Sequence, residues 1–330
     1  MGETRVDGLL LPQAPECPRG DGSKVNETAT SGFDLSVVIS THDRPVQLLE
    51  AIASVRDQTH PGPIEIIVVW DKTEPDRSLA SDDPLRTVRV MANDRTPGLP
   101  GSRNAGAAVA QAPVLGFCDD DDLWRPEKVA RQLALLAETG APTCVVGVEI
   151  TVDDRSTVHG PDPVLRFEDL LLTRRIEGCM QAVLVRRDDF WGPIGPLDEH
   201  IPGGYAEDYD WMLRAARHAD IPVVTEPMVE MRWIVQSHFR LNWPDWEAAL
   251  SQILDRNPEF ASVPAGQARV EGQIAFAVAG QGRRREALRR SLAAWRLSWR
   301  EPRSYLAAVV ALGVPAPTIV RALNQRGRGI

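Results

Sequence analysis

Two β-branched runs, Leu35-Ser36-Val37-Val38-Ile39-Ser40 and Ile64-Glu65-Ile66-Ile67-Val68-Val69-Trp70, set the limits on how this chain can fold. Each is short and almost continuously apolar, the pattern of a strand buried on both faces. Between them, from Val46 to Gln58, Leu48, Leu49, Ile52 and Val55 recur at helical spacing. The same reading predicts a short strand over Thr87 to Met91 and an alanine-rich helix over Asn104 to Gln111. A strand over Val114 to Cys118 and a helix over Pro126 to Glu138 follow. Strands alternating with helices build a mostly parallel α/β sheet with helices on both faces. Ligands of such sheets gather at the carboxyl ends of the strands.

The strand over Val114 to Cys118 runs straight into Asp119-Asp120-Asp121-Asp122. Carboxylates crowded at one strand end repel one another, and a divalent cation with oxygen ligands offsets that repulsion, a substrate phosphate completing its shell. A solvated acidic loop is the plainer reading, but such loops are rarely launched from a core strand. Asp119 and Asp121 form an Asp-x-Asp pair suited to magnesium or manganese. Asp120 is left to face a ribose or a sugar.

At 330 residues, 43% hydrophobic and 25% charged, the chain can bury the core of one large domain or two modest ones. Its net charge of -9 is unevenly spread: from Arg283 to Arg328 arginine dominates, opposed only by Glu286 and Glu301. The basic tail calls for an anionic partner. Cys17, Cys118, Cys144 and Cys179 lack the paired spacing of zinc or redox sites, which suits reduced thiols. Met1 to Gly32 is polar and reads as a flexible leader, not a secretion signal. Tyr305 to Val320 is interrupted by Pro315 and Pro317 and falls short of the ~20 residues that span a bilayer. A cytoplasmic location is expected, with the tail able to reach the inner face of a membrane.

Further along, Thr143 to Thr151 and Val183 to Val185 read as strands, and Val223-Val224 and Val229 to Trp233 as two closing strands. Asn242 to Arg256 and Val270 to Trp299 read as helices. Asp43 and Asp71, at the tips of the first two strands, can accept hydrogen bonds from a base or ribose, or simply cap turns. Thr41 and Arg44 share the first of those tips. Arg103 follows the turn Pro97-Gly98-Leu99-Pro100-Gly101 and can neutralise phosphate. Glu207 and Asp208 open a helix, where a carboxylate can act as general base or merely complement the helix dipole. His238 is a third candidate metal ligand. Trp191 and Tyr205 bound a loop expected on the acceptor side, where Glu207 is expected too.

In order and spacing, these segments resemble the inverting family 2 glycosyltransferases of the GT-A fold. The likeness rests on Leu35 to Arg44, Glu65 to Asp71, Ser102-Arg103-Asn104-Ala105-Gly106, Phe117 to Trp124 and Gly195 to Arg214. It implies a leader over 1–33 and a catalytic domain over 34–240, with a nucleotide part (34–125) and an acceptor part (126–240). A helical, basic extension over 241–330 would follow. It also implies a nucleotide-sugar donor, chiefly a UDP-sugar, and Mn2+ or Mg2+ as cofactor. Asp43 and Asp71 would contact the nucleotide, Arg103 the diphosphate, Asp120 ribose or sugar and Asp121 the metal, with Asp208 as catalytic base. The acceptor would be a glycan, a lipid-linked molecule or a small molecule; no nucleic acid is expected. One departure stands out: the family's second strand commonly ends in two aspartates before Gly-Ser, whereas here it reads Trp70-Asp71-Lys72-Thr73. That leaves the base open.

Two alternatives remain at this point, a nucleotidyltransferase of GT-A-like fold and a non-catalytic nucleotide- or glycan-binding relative. The tail likewise has two readings. Trp295, Trp299 and Tyr305 among arginines suit an anionic membrane interface, or else a helix pair that caps the domain or forms a homodimer.

Overall fold

A computed structural model describes residues 32–324 apart from 153–154, 161, 176–177 and 233–241. All but the last two residues of the expected leader lie outside the described residues, as does His238.

The first half alternates as anticipated: β1 (Leu35–Thr41), α1 (Pro45–Arg56), β2 (Ile64–Trp70), β3 (Arg86–Ala92), α2 (Leu99–Val109), β4 (Val114–Asp119), β5 (Leu123–Trp124) and α3 (Lys128–Thr139). Then come β6 (Thr143–Val152), β7 (Arg155–His159), β8 (Val164–Leu165), α4 (Phe167–Leu172), β9 (Leu184–Arg186), α5 (Arg187–Trp191), α6 (Glu207–His218) and β10 (Ile221–Arg232). The remaining helices are α7 (Trp243–Arg256), α8 (Pro264–Gly280), α9 (Arg284–Leu297), α10 (Pro302–Ala311) and α11 (Ala316–Asn324).

The central sheet has the order β3-β2-β1-β4-β9-β6-β10-β5. Its first four strands are parallel. β9 joins antiparallel to both β4 and β6, and β10 runs parallel to β6. Every residue of β1 and β2 is buried, which is why their sequences show no polar alternation. Ser40 pairs with Asp119 across β1 and β4, so Thr41 and Asp120 leave the sheet side by side. This register assembles the site.

Three expectations change. The two closing strands are one, β10, because register shifts between Val224 and Val229 let it bend past β6 without leaving the sheet. The single helix over Val270 to Trp299 is two, broken where Gly282 takes φ 80°. The helix placed at Asn104 starts earlier, at Leu99, because Pro100 occupies the first turn, where its missing N–H costs nothing.

Candidate active site

The exit of β1 and the exit of β4 share one polar cluster. Thr41 Oγ1 donates to Asp120 Oδ2 at 2.7 Å, and the Arg44 guanidinium pairs with Asp120 at 3.0 Å and also with Asp121. Asp43 turns the chain here with φ 55°, a left-handed conformation that Asp tolerates better than most residues. Behind the turn lies a cleft of about 220 Å³ lined by Thr41, Asp43, Arg44, Trp70, Glu74 and Asp76, among others.

Arg103 joins this cluster to a distant helix. From α2 its buried guanidinium donates to Asp119 Oδ1 at 2.6 Å and to Glu207 Oε1, at the start of α6, at 2.9 Å. Burial alone would lower its basicity, and the charges of Asp119 and Glu207 more than restore it. The carboxylates respond in the opposite sense. Burial, then the charge of Asp119, pushes Asp121 up to about 6 despite Arg44. Burial, then the charge of Asp208, pushes Glu207 up to about 7 despite Arg103. Asp122 is raised by burial and by Asp119 and Asp121, and it accepts from Gln181 at 2.8 Å and from the Arg232 N–H at 3.2 Å. It ties the acidic turn to β10.

Asp208 stands next to Glu207, and both its oxygens accept from Arg174, at 2.7 and 2.8 Å. Arg174 is itself 48% exposed. Asp71 makes the contacts of the turn-capping alternative, and its Oδ2 lies 3.4 Å from Lys72 Nζ. Its Oδ1 accepts from Asn93 at 2.9 Å and from the Gly98 N–H at 3.0 Å, so it braces the turn into α2. Burial opposes its charge, but those hydrogen bonds prevail and hold it below the usual carboxylate range. Trp70, Thr73, Glu74 and Asp76 form the cleft wall there instead. Tyr205 accepts from the Asn242 N–H at 2.9 Å. Trp191 packs edge-on against Phe190, with Arg95 5.9 Å above its ring.

Several functional-looking residues escaped the sequence reading. Arg174 sits in a connection with no pattern of its own. Glu199 holds three elements together, accepting from Arg95 at 2.7 Å, Asn104 at 2.8 Å and the Thr96 N–H at 3.2 Å. Only Asp122 carried a signal, as the last member of the acidic run.

A parallel half-sheet with acidic residues at its strand exits, flanked by helices, defines the GT-A class of fold. Solved structures agree: S. aureus TarS 1-349 in complex with UDP-GlcNAc superposes with a TM-score of 0.59 at 13% identity, covering 90% of this chain and 93% of that one. Residues 36–185 match the family model "Glycosyl transferase family 2", so this chain carries a family 2 glycosyltransferase domain. Among known sequences, it is 28% identical to succinoglycan biosynthesis protein ExoO of Rhizobium meliloti, over 50% of this chain and 47% of that protein. It is 26% identical to the putative teichuronic acid biosynthesis glycosyltransferase TuaG of Bacillus subtilis, over 46% of this chain and 62% of that protein. The chain thus spans about half the length of the curated relatives it matches.

Proposed function

We propose that this chain transfers a sugar from a nucleoside-diphosphate sugar, a UDP-sugar foremost, to an acceptor hydroxyl with inversion at the anomeric carbon. Its products would be glycans, glycolipids or glycosylated metabolites. The observation that carries the reading is the gathering of Thr41, Arg44 and Asp119 to Asp121 with Arg103 and Glu207 in one partly buried cluster at the strand ends. The UDP-GlcNAc bound by the similar TarS fragment supports the choice of donor.

A divalent cation fits the donor set. Asp119, Asp120 and Asp121 crowd at one strand exit, and burial first, then the charge of Asp119, keeps Asp121 raised to about 6 although Arg44 touches it. Among the described residues, no three His, Cys, Asp or Glu side chains form a ready metal cage. Asp119 and Asp121 would therefore hold the ion together with phosphate oxygens of the donor. When bound, magnesium or manganese stabilises negative charge on the leaving diphosphate. The chain's own residues do the rest. Arg44 and Arg103 neutralise phosphate charge, and Asp120, oriented by Thr41, accepts from a ribose or sugar hydroxyl. Asp208 takes the proton of the attacking hydroxyl, for which its carboxylate must exchange Arg174 for the acceptor. Attack in line with the leaving group inverts the configuration.

The test is nucleoside diphosphate release from UDP-glucose and UDP-GlcNAc with manganese. Asp208→Asn is expected to lower kcat by about 100-fold or more while leaving calorimetric donor binding intact. Equal turnover by variant and parent removes Asp208 from the base role. Chelation is expected to abolish transfer, and full activity in excess chelator removes the metal.

A further inference from the structure

The outer face of α9 and α10 carries a surface that neither the sheet nor the cleft uses. On α9, Ala287, Ser291 and Ala294 are buried against the body. Roughly a quarter turn away, at 100° per residue, lie Leu288, Leu292 and Trp295, 40%, 47% and 45% exposed. The next stripe round the same helix is Arg285, Arg289 and Arg296, all exposed. Among the described residues none of these three pairs with a carboxylate, whereas Arg283 and Arg290 both pair with Glu286.

On α10 the apolar stripe continues. Tyr305 and Val309 are exposed at a spacing of four, and Leu312, just past the helix end, is 77% exposed. Trp295 Nε1 donates to Tyr305 Oη at 2.8 Å, and that hydroxyl donates to the Trp299 carbonyl at 2.6 Å, which joins the two stripes into one surface. Trp299, 62% exposed, stands at the joint with the Arg300 guanidinium 5.1 Å above its ring. An apolar patch of this extent, bordered by polar residues, marks a contact surface.

We propose that this face lies in the plane of an anionic membrane surface. The leucines and tryptophans would enter the boundary between headgroups and acyl chains, with the arginines at phosphate level. Charge decides the occupant. A second copy docking through the same patch would set two arginine stripes of like sign against each other. Anionic headgroups supply counter-charge along the whole stripe. The chain as a whole carries -9, so the same field that draws the stripe to lipid turns the acidic body away, which fixes orientation. No described helix is long and apolar enough to cross a membrane, so the contact is in-plane. The inference stands apart from the reading of the cleft.

The test is co-sedimentation of the full chain with vesicles of phosphatidylcholine alone or mixed with phosphatidylglycerol. Binding is expected to the mixed vesicles only, with release when salt rises from about 0.1 M to about 0.5 M. Arg285→Ser/Arg289→Ser/Arg296→Ser should lower partitioning on the order of 100-fold. Leu288→Ser/Leu292→Ser should lower it roughly 10-fold or more. All five positions are exposed, so both variants should melt like the parent. Equal binding to both vesicle types, or to neither, overturns the proposal. So does a dimer in sedimentation velocity that Leu288→Ser/Leu292→Ser dissociates.

Discussion

Lys128 is the least expected residue in the molecule. It is fully buried at the start of α3, with its Nζ 3.4 Å above the Trp124 ring and, among the described residues, no hydrogen-bond acceptor. Burial pushes it down to about 7 from an ordinary 10.5. Its neighbours do not neutralise it, since burial also pushes the Cys144 thiol up to about 12. A lowered lysine pKa means that the folded chain resists holding the proton. The penalty is complete below about pH 7 and fades as pH climbs toward 10.5, where the unfolded chain also lets its proton go. Its size at neutral pH is on the order of 4 kcal/mol. Lys128→Met keeps the length of the side chain without the charge. Urea unfolding is therefore expected to show the variant as the more stable at neutral pH, with the advantage shrinking as pH rises. A constant difference between the two would show that the ammonium costs nothing there.

Helix α2 illustrates how an element places a site. A Cβ on Gly106 would stand 2.4 Å from Val38 Cγ1 and 3.1 Å from Val69 Cγ2, so the helix presses directly on β1 and β2. That approach seats Arg103, one turn earlier, between Asp119 and Glu207. Gly106→Ala should lower stability by about 1–3 kcal/mol, read as a lower urea midpoint at unchanged m. Donor affinity should fall with it, because a displaced helix carries Arg103 out of place. An unchanged midpoint would mean the helix yields freely. Strand register has a comparable anchor in Glu65, buried inside β2, which accepts from Ser36 Oγ on its register partner at 2.6 Å and from Arg89 at 2.6 Å. Ser36 and Arg89 thus satisfy a carboxylate that sits inside an apolar run.

At the scale of the molecule, α8 joins the C-terminal helices to α4 and α6. Ile274, Phe276 and Val278 are buried along it. A Cβ on its Gly266 would lie 2.0 Å from the Leu171 carbonyl oxygen at the end of α4. Arg269 donates to Tyr209 Oη at 2.7 Å, and that hydroxyl donates to the Leu170 carbonyl at 2.6 Å. Thus α8 supports α6, the helix that bears Glu207 and Asp208. A chain ended before Pro264 is expected to lose its cooperative melt and to bind an apolar dye, since it would expose the partners of α8. A sharp transition in that fragment would show that the sheet stands without these helices.

Much of the architecture was legible beforehand, and for a local reason. Strands buried on both faces, such as β1, β2 and β4, must be written as continuous apolar runs, and helices that cover them must repeat at helical spacing. The sequence alone therefore determined that carboxylates would crowd at the exits of β1 and β4. It could not determine their partners. Arg103 meets Asp119 and Glu207 across 16 and 104 positions, and Arg174 meets Asp208 across 34. Asp71 turned inward to Asn93 and Gly98. Which cation reaches which carboxylate depends on distance and desolvation in the packed chain. Only the tertiary structure sets those two quantities.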